Sequence, residues 1–135
     1  MDFILENLAI GDYEEALEPS SQIDALLCVA KERDIHDTRC KYHKVPIVDM
    51  QPIPPEQMRE AVEWIRDHIN DRKIMVFCNA GIGRSPSVAV AYICCILGVS
   101  FGEGVEYVAV RKPYMSTLPN LILTIEETKK QLGKT

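Results

Sequence analysis

Residues 73–98 constrain the fold most. They read KIMVFCNAGIGRSPSVAVAYICCILG: an apolar run ending in Cys78, a short segment with two glycines closed by Arg84, and a second apolar run. KIMVFC (73–78) is short, apolar and rich in strand formers, which predicts a buried strand. SPSVAVAYICCILG (85–98) predicts a buried helix, opened by Pro86 and closed by Gly98. The intervening residues must curl tightly, and Gly81 and Gly83 are expected to take backbone angles that other residues resist. Such a curl turns successive N–H groups inward as an anion-binding concavity, and the following helix adds the positive end of its dipole. Arg84 supplies a planar fork matched to two phosphate oxygens. The segment therefore reads as an oxyanion cradle with a sulfur at its floor.

The rest of the chain supplies the scaffold. ENLAIGD (6–12) reads as a short strand ending at Gly11, and DYEEALEP (12–19) as a brief helix capped by Asp12 and stopped by Pro19. IDALLCVAK (23–31) is a continuous apolar run, the mark of a strand buried on both faces. KYHKVPIVD (41–49) is a further strand, with Pro46 placing it at an edge or a strand end. PPEQMREAVEWIRDHINDR (54–72) is the clearest helix, with Met58, Ala61, Val62, Ile65 and Ile69 on one stripe. SFGEGVEYVAVRKP (100–113) opens with the capping-box pair Ser100 and Glu103. LPNLILTIEETKKQLG (118–133) is a last amphipathic helix. This order predicts an α/β fold: a single mixed sheet of about four to five strands covered by helices, in one domain over residues 1–135. Ligands in such sheets sit at the carboxyl ends of strands against helix N-termini, which is where Cys78 falls.

Composition narrows the function class. The net charge of −5 excludes a general nucleic-acid surface. The basic cluster Arg39–Lys44 reads as a solvated face, with steering of an anionic substrate as the sharper alternative. The longest apolar run, Val88–Leu97, is about half a membrane span, and Asp2 and Glu6 sit where a signal peptide would be basic. No membrane association is expected. Cys28, Cys40, Cys78, Cys94 and Cys95 lack disulfide-framework or zinc spacing and point to a reducing, cytoplasmic setting. His36, His43 and His68 are scattered, so neither metal nor cofactor is expected.

VFCNAGIGRSPSVAVAYI resembles the signature of the cysteine-dependent protein phosphatases: Cys, five residues, Arg, then Ser or Thr. The run from RSP into an apolar helix resembles the small dual-specificity branch. ENLAIGDYEEA is similar to that branch's opening strand pair, VPIVDMQPI to its acid-bearing loop, and VRKP…LPN to its late helices. The resemblance implies a phosphatase fold with its phosphate-binding loop between a central strand and a buried helix. It implies Cys78 as nucleophile, Arg84 as phosphate clamp, and Ser85 as the hydroxyl that helps the thiolate leave. Asn79, Ala80, Gly81, Ile82 and Gly83 would contribute backbone N–H groups, and Asn120 would brace the site. Phe77 stands where the family usually has histidine, so an active enzyme with a less strongly activated thiol is expected.

A leaving alkoxide or phenoxide needs a proton, and the donor must reach the cradle from another segment. Asp49, at the end of a predicted strand, is the expected acid, and the resemblance selects the same residue; Asp34 and Asp37 are its rivals. The loop offers no Lys or Arg at its variable positions, which favours a singly phosphorylated group. The expectation is a monomeric hydrolase of phosphotyrosine and/or phosphoserine/phosphothreonine in proteins or peptides, acting through a cysteinyl-phosphate. The alternatives are a non-catalytic phosphate-binding module and a rhodanese-like sulfurtransferase.

Overall fold

The computed structural model describes residues 1–133. In chain order the elements are β1 (Asp2–Leu5), β2 (Leu8–Gly11), α1 (Tyr13–Leu17), β3 (Ala25–Cys28), β4 (Lys41–Lys44), α2 (Pro55–His68), β5 (Ile74–Phe77), α3 (Arg84–Ile96), α4 (Phe101–Arg111) and α5 (Leu121–Gly133). The five strands form one sheet in the order β1-β2-β5-β3-β4. β2, β5, β3 and β4 run parallel, and β1 is antiparallel to β2. The sheet is therefore mixed, as the residue pattern predicts.

β5 lies at the centre, and every residue of β2, β3 and β5 is buried, which is why these strands read as unbroken apolar runs. Gly11 and Cys28 both pair with Phe77, so the three central strands end level with one another. The next residues, Asp12, Val29 and Cys78, leave the sheet along one edge, and the loops that build the site grow from there.

α3 packs on β2 and β5 and is flanked by α2, α4 and α5. It is buried from Arg84 through Cys94, so it serves as the core of the helical layer. Pro86 sits in its first turn, where backbone N–H groups have no intrahelical partner and a missing one costs nothing. The caps follow the residues: Asp12 and Glu15 form a capping box at α1, and Ser100 and Glu103 form another at α4. No helix among the described residues is long and apolar enough to cross a membrane.

Two elements differ from the sequence reading. β1 is an additional strand, paired with β2 across the Glu6–Asn7 turn; a four-residue strand at the start of the chain carries too little pattern to stand out. β4 is shorter than residues 41–49. Pro46 has no N–H to donate, so the ladder stops near Val45, whose N–H reaches the Cys28 carbonyl at 2.8 Å, and the chain runs on as a loop to Asp49.

Candidate active site

Cys78 is the first residue after β5, and its side chain is buried. Its Sγ lies 3.3 Å from the Ser85 hydroxyl in the first turn of α3. The residues between them turn the chain around the sulfur. Their carbonyls face outward: that of Asn79 accepts from Tyr13 N–H at 3.2 Å and that of Ile82 from Ser116 N–H at 2.7 Å. Among the described residues, no backbone N–H from Asn79 to Ser85 donates to a protein acceptor. A row of unspent N–H groups beside a helix N-terminus is an anion site by construction.

The two loop glycines serve different purposes. Gly81 has φ of +73°, and a Cβ there would lie 2.9 Å from the Gly11 carbonyl oxygen, so both angle and space exclude a side chain. Gly83 has φ of −116°, open to any residue, which corrects the conformational reason expected from the sequence. Its reason is space: a Cβ would meet Leu118 Cδ2 at 3.2 Å and Asp49 Oδ1 at 3.7 Å.

Arg84 is 1% exposed. Burying a guanidinium is costly unless it is paired, and the partner is Glu32, in the loop after β3. Nη1 and Nη2 donate to the two carboxylate oxygens at 2.7 and 2.5 Å, and Nη1 also donates to the Ile47 carbonyl at 3.0 Å. The hydrogen bond from Arg84 pulls the Glu32 carboxyl down to about 2, and the same bond pushes the guanidinium above its ordinary value. Arg84 Nε is buried with no hydrogen-bond partner. The clamp is thus held from behind, with one donor unspent.

Asp49 stands across the loop, its Oδ1 3.7 Å from Arg84 Nε. The same oxygen accepts from Met50 N–H at 2.9 Å, and Met50 adopts φ of +61°, turning the chain sharply beneath the carboxylate. Asp49 is 53% exposed and faces solvent above the loop. Its rivals lie elsewhere. Asp34 accepts the Tyr42 hydroxyl and the Ile35 N–H, and that hydroxyl holds its carboxyl below the usual range. Asp37 is exposed in the loop before β4.

The structure therefore gathers Cys78, Ser85, Arg84 and Asp49 around residues 79–83. Asn120 is exposed at the head of α5 with φ of +58°, and its carbonyl accepts from Thr124 N–H. The late segment touches the loop through other groups: Ser116 N–H on Ile82, and Leu118 beside Gly83, itself held by the Ser87 hydroxyl at 3.0 Å. Phe77 is fully buried. The basic cluster is scaffold for the most part. Arg39 donates to the carbonyls of Pro19, Ser20 and Ile23, away from the site, and His43 pairs with Glu60. Glu32 is the member that sequence reasoning missed. Its one signal was chemical: an arginine inside a buried segment demands a carboxylate, and KERD follows a central strand.

Comparison with known proteins agrees with this geometry. The family described as "Dual specificity phosphatase, catalytic domain" matches residues 10–131. Mouse dual specificity protein phosphatase 15 is 23% identical over 133 residues, covering 94% of this chain and 57% of its own length; the chain thus spans a little over half of that relative. Human dual specificity protein phosphatase 8 is 28% identical over 95 residues, 68% of this chain and 15% of its own. Among solved structures, Tk-PTP in its active form superposes with a TM-score of 0.83 at 21% identity, covering 96% of each chain. The human tyrosine phosphatase-like serine/threonine/tyrosine-interacting protein gives 0.85 at 21% identity, covering 98% of this chain and 97% of its own.

Proposed function

The chain belongs to the dual specificity phosphatase catalytic-domain family, and from that premise we propose that it hydrolyses phosphomonoesters on phosphotyrosine and/or phosphoserine/phosphothreonine of protein substrates. Residues 1–135 make up one catalytic domain. The observation that carries this reading is the pairing of a buried sulfur with unspent N–H groups and an arginine whose buried Nε makes no hydrogen bond.

In this mechanism the phosphoryl oxygens take the N–H groups of residues 79–85 and the free edge of Arg84. The Cys78 thiolate attacks phosphorus in line with the ester oxygen, and the sulfur–phosphorus bond forms as the phosphorus–oxygen bond breaks. Asp49 gives its proton to the departing oxygen. In the second step water attacks the cysteinyl-phosphate, Asp49 accepts its proton, and sulfur leaves. The Ser85 hydroxyl, 3.3 Å from Sγ, donates to the departing thiolate. Asn120 contributes indirectly, its left-handed backbone turning the chain from Leu118 into α5.

The exposed Asn79, Ala80 and Ile82 leave the mouth of the cradle open, which suits phosphorylated side chains of different lengths. All five cysteines are free thiols, which supports a reducing compartment such as the cytoplasm.

Hydrolysis of p-nitrophenyl phosphate by the wild type and Cys78→Ser, with vanadate as competitor, tests the reading. The expectation is vanadate-sensitive turnover that the serine variant lacks. Phosphate-protected alkylation without phosphate release would instead indicate a binding module, and thiosulfate-dependent sulfur transfer a rhodanese-like enzyme.

A further inference from the structure

Glu32 and Arg33 are consecutive, and they engage different residues of the cradle loop. Glu32 is spent beneath the clamp on Arg84. Arg33 reaches the rim of the cradle. Its Nε donates to Asn79 Oδ1 at 2.9 Å, the side chain immediately after the nucleophile. Its guanidinium lies 4.3 Å above the Tyr13 ring, and Tyr13 N–H in turn holds the Asn79 carbonyl. The stack and the Nε bond fix the plane of the guanidinium, and among the described residues its two terminal nitrogens make no hydrogen bond. Arg33 forms no ion pair among the described residues. The nearby carboxylates are engaged elsewhere: Glu32 with Arg84, Asp34 with Tyr42, Asp12 with the α1 cap.

We propose that Arg33, mounted on Tyr13 and Asn79, is a specificity-determining residue that binds an anionic group flanking the phosphorylated residue of the substrate. A pre-oriented guanidinium fork recognises planar or tetrahedral oxyanions, so a neighbouring carboxylate or a second phosphate fits. Holding it at the cradle's lip aligns the attacked phosphorus with Cys78 through binding made outside the reacting centre. The proposal rests on the phosphatase reading.

The test uses phosphotyrosine peptides with alanine, glutamate or phosphoserine beside the phosphotyrosine, on either side. Phosphotyrosine loss is followed by the rise in tyrosine fluorescence. The readout is the ratio of kcat/KM for each acidic peptide to its alanine counterpart on the same variant, so any general loss of activity cancels. For the wild type we expect about threefold to fivefold for glutamate, the range of an exposed ion pair, and on the order of tenfold for phosphoserine, both shrinking as salt is raised. Arg33→Gln brings both ratios to about one, Arg33→Glu drives them below one, and Arg33→Lys keeps part of them. Glutamate and phosphoserine arms that respond differently identify the anion. Wild-type ratios of one, or ratios that survive in Arg33→Gln, overturn the proposal. If no peptide is hydrolysed the phosphatase reading fails, and the Kd ratios of the same peptides for Cys78→Ser still judge Arg33 by the same criteria.

Discussion

Glu32 grips Arg84 end-on, its two oxygens taking Nη1 and Nη2, so that the buried guanidinium keeps its Nε free of hydrogen bonds and 3.7 Å from Asp49 Oδ1. A flexible arginine would lose that orientation, and a small misplacement of a reacting or clamping group is costly: about 1 Å can cost on the order of 10²-fold. Glu32→Gln should lower kcat/KM for aryl phosphates by about 10- to 100-fold, since it keeps the shape and loses the charge. An unchanged kcat/KM would mean that Arg84 orients itself.

The same pair has a pH signature. The Glu32 carboxyl falls from its ordinary 4.5 to about 2 in the folded protein. A group whose pKa is depressed on folding stabilises the fold above its unfolded value and loses that contribution as pH drops through its folded value. The difference in urea stability between the wild type and Glu32→Gln should be full above about pH 4.5 and shrink steadily toward pH 2. A difference that stayed constant over that window would mean the ion pair is absent in solution.

Asp49 lies 3.7 Å from Arg84 Nε and beside the space over Gly83. Asp49→Asn should slow hydrolysis of alkyl phosphates by about 10²–10⁴-fold, the usual worth of a general acid, and slow activated aryl phosphates much less. Equal losses on good and poor leaving groups would assign Asp49 to binding instead of proton transfer.

Gly81→Ala places a Cβ 2.9 Å from the Gly11 carbonyl oxygen at φ of +73°. The strain should destabilise the protein by about 1–3 kcal/mol and distort the cradle, so that phosphate and vanadate bind more weakly. Wild-type stability by urea melt together with unaltered vanadate inhibition would contradict the loop geometry.

Three of the four remaining thiols, Cys28, Cys94 and Cys95, are set apart by what surrounds them. Burial pushes Cys28 and Cys94 upward and Cys95 up to about 11. They should stay neutral and resist iodoacetamide in the native protein near pH 7.5, while Cys78 is modified and protected by phosphate. Peptide mapping that found Cys95 labelled as fast as Cys78 would refute the assignment.

The candidate site was legible in the sequence wherever one local segment carried the whole signal. Cys78, the two glycines, Arg84 and Ser85 sit within one strand-to-helix turn, and the two continuous apolar runs that flank it, the second opened by Pro86, mark that turn's place in the fold. Asp49 required a second inference, that its strand lies next to that of Cys78; β3 in fact separates β4 from β5, and it is the loop running on from β4 that carries Asp49 to Arg84. Glu32 and Arg33 were not legible, because their roles depend on where a loop after β3 meets residues some 46 to 52 positions away. β1 escaped for the opposite reason: its four residues are too few to show a period, and only pairing with β2 makes them a strand. The loop contacts of Ser116 and Leu118 were not legible either, since they depend on where the segment before α5 meets residues 82 and 83.

The most direct test of the central claim, that Cys78 is the nucleophile at the floor of the cradle, is rapid acid quench of turnover on an aryl phosphate followed by mass mapping. A phosphate adduct on the peptide bearing Cys78, more abundant in Asp49→Asn during the second step and missing in Cys78→Ser, is the predicted result. Steady phosphate release by Cys78→Ser at the wild-type rate, or an adduct on any other residue, would contradict it.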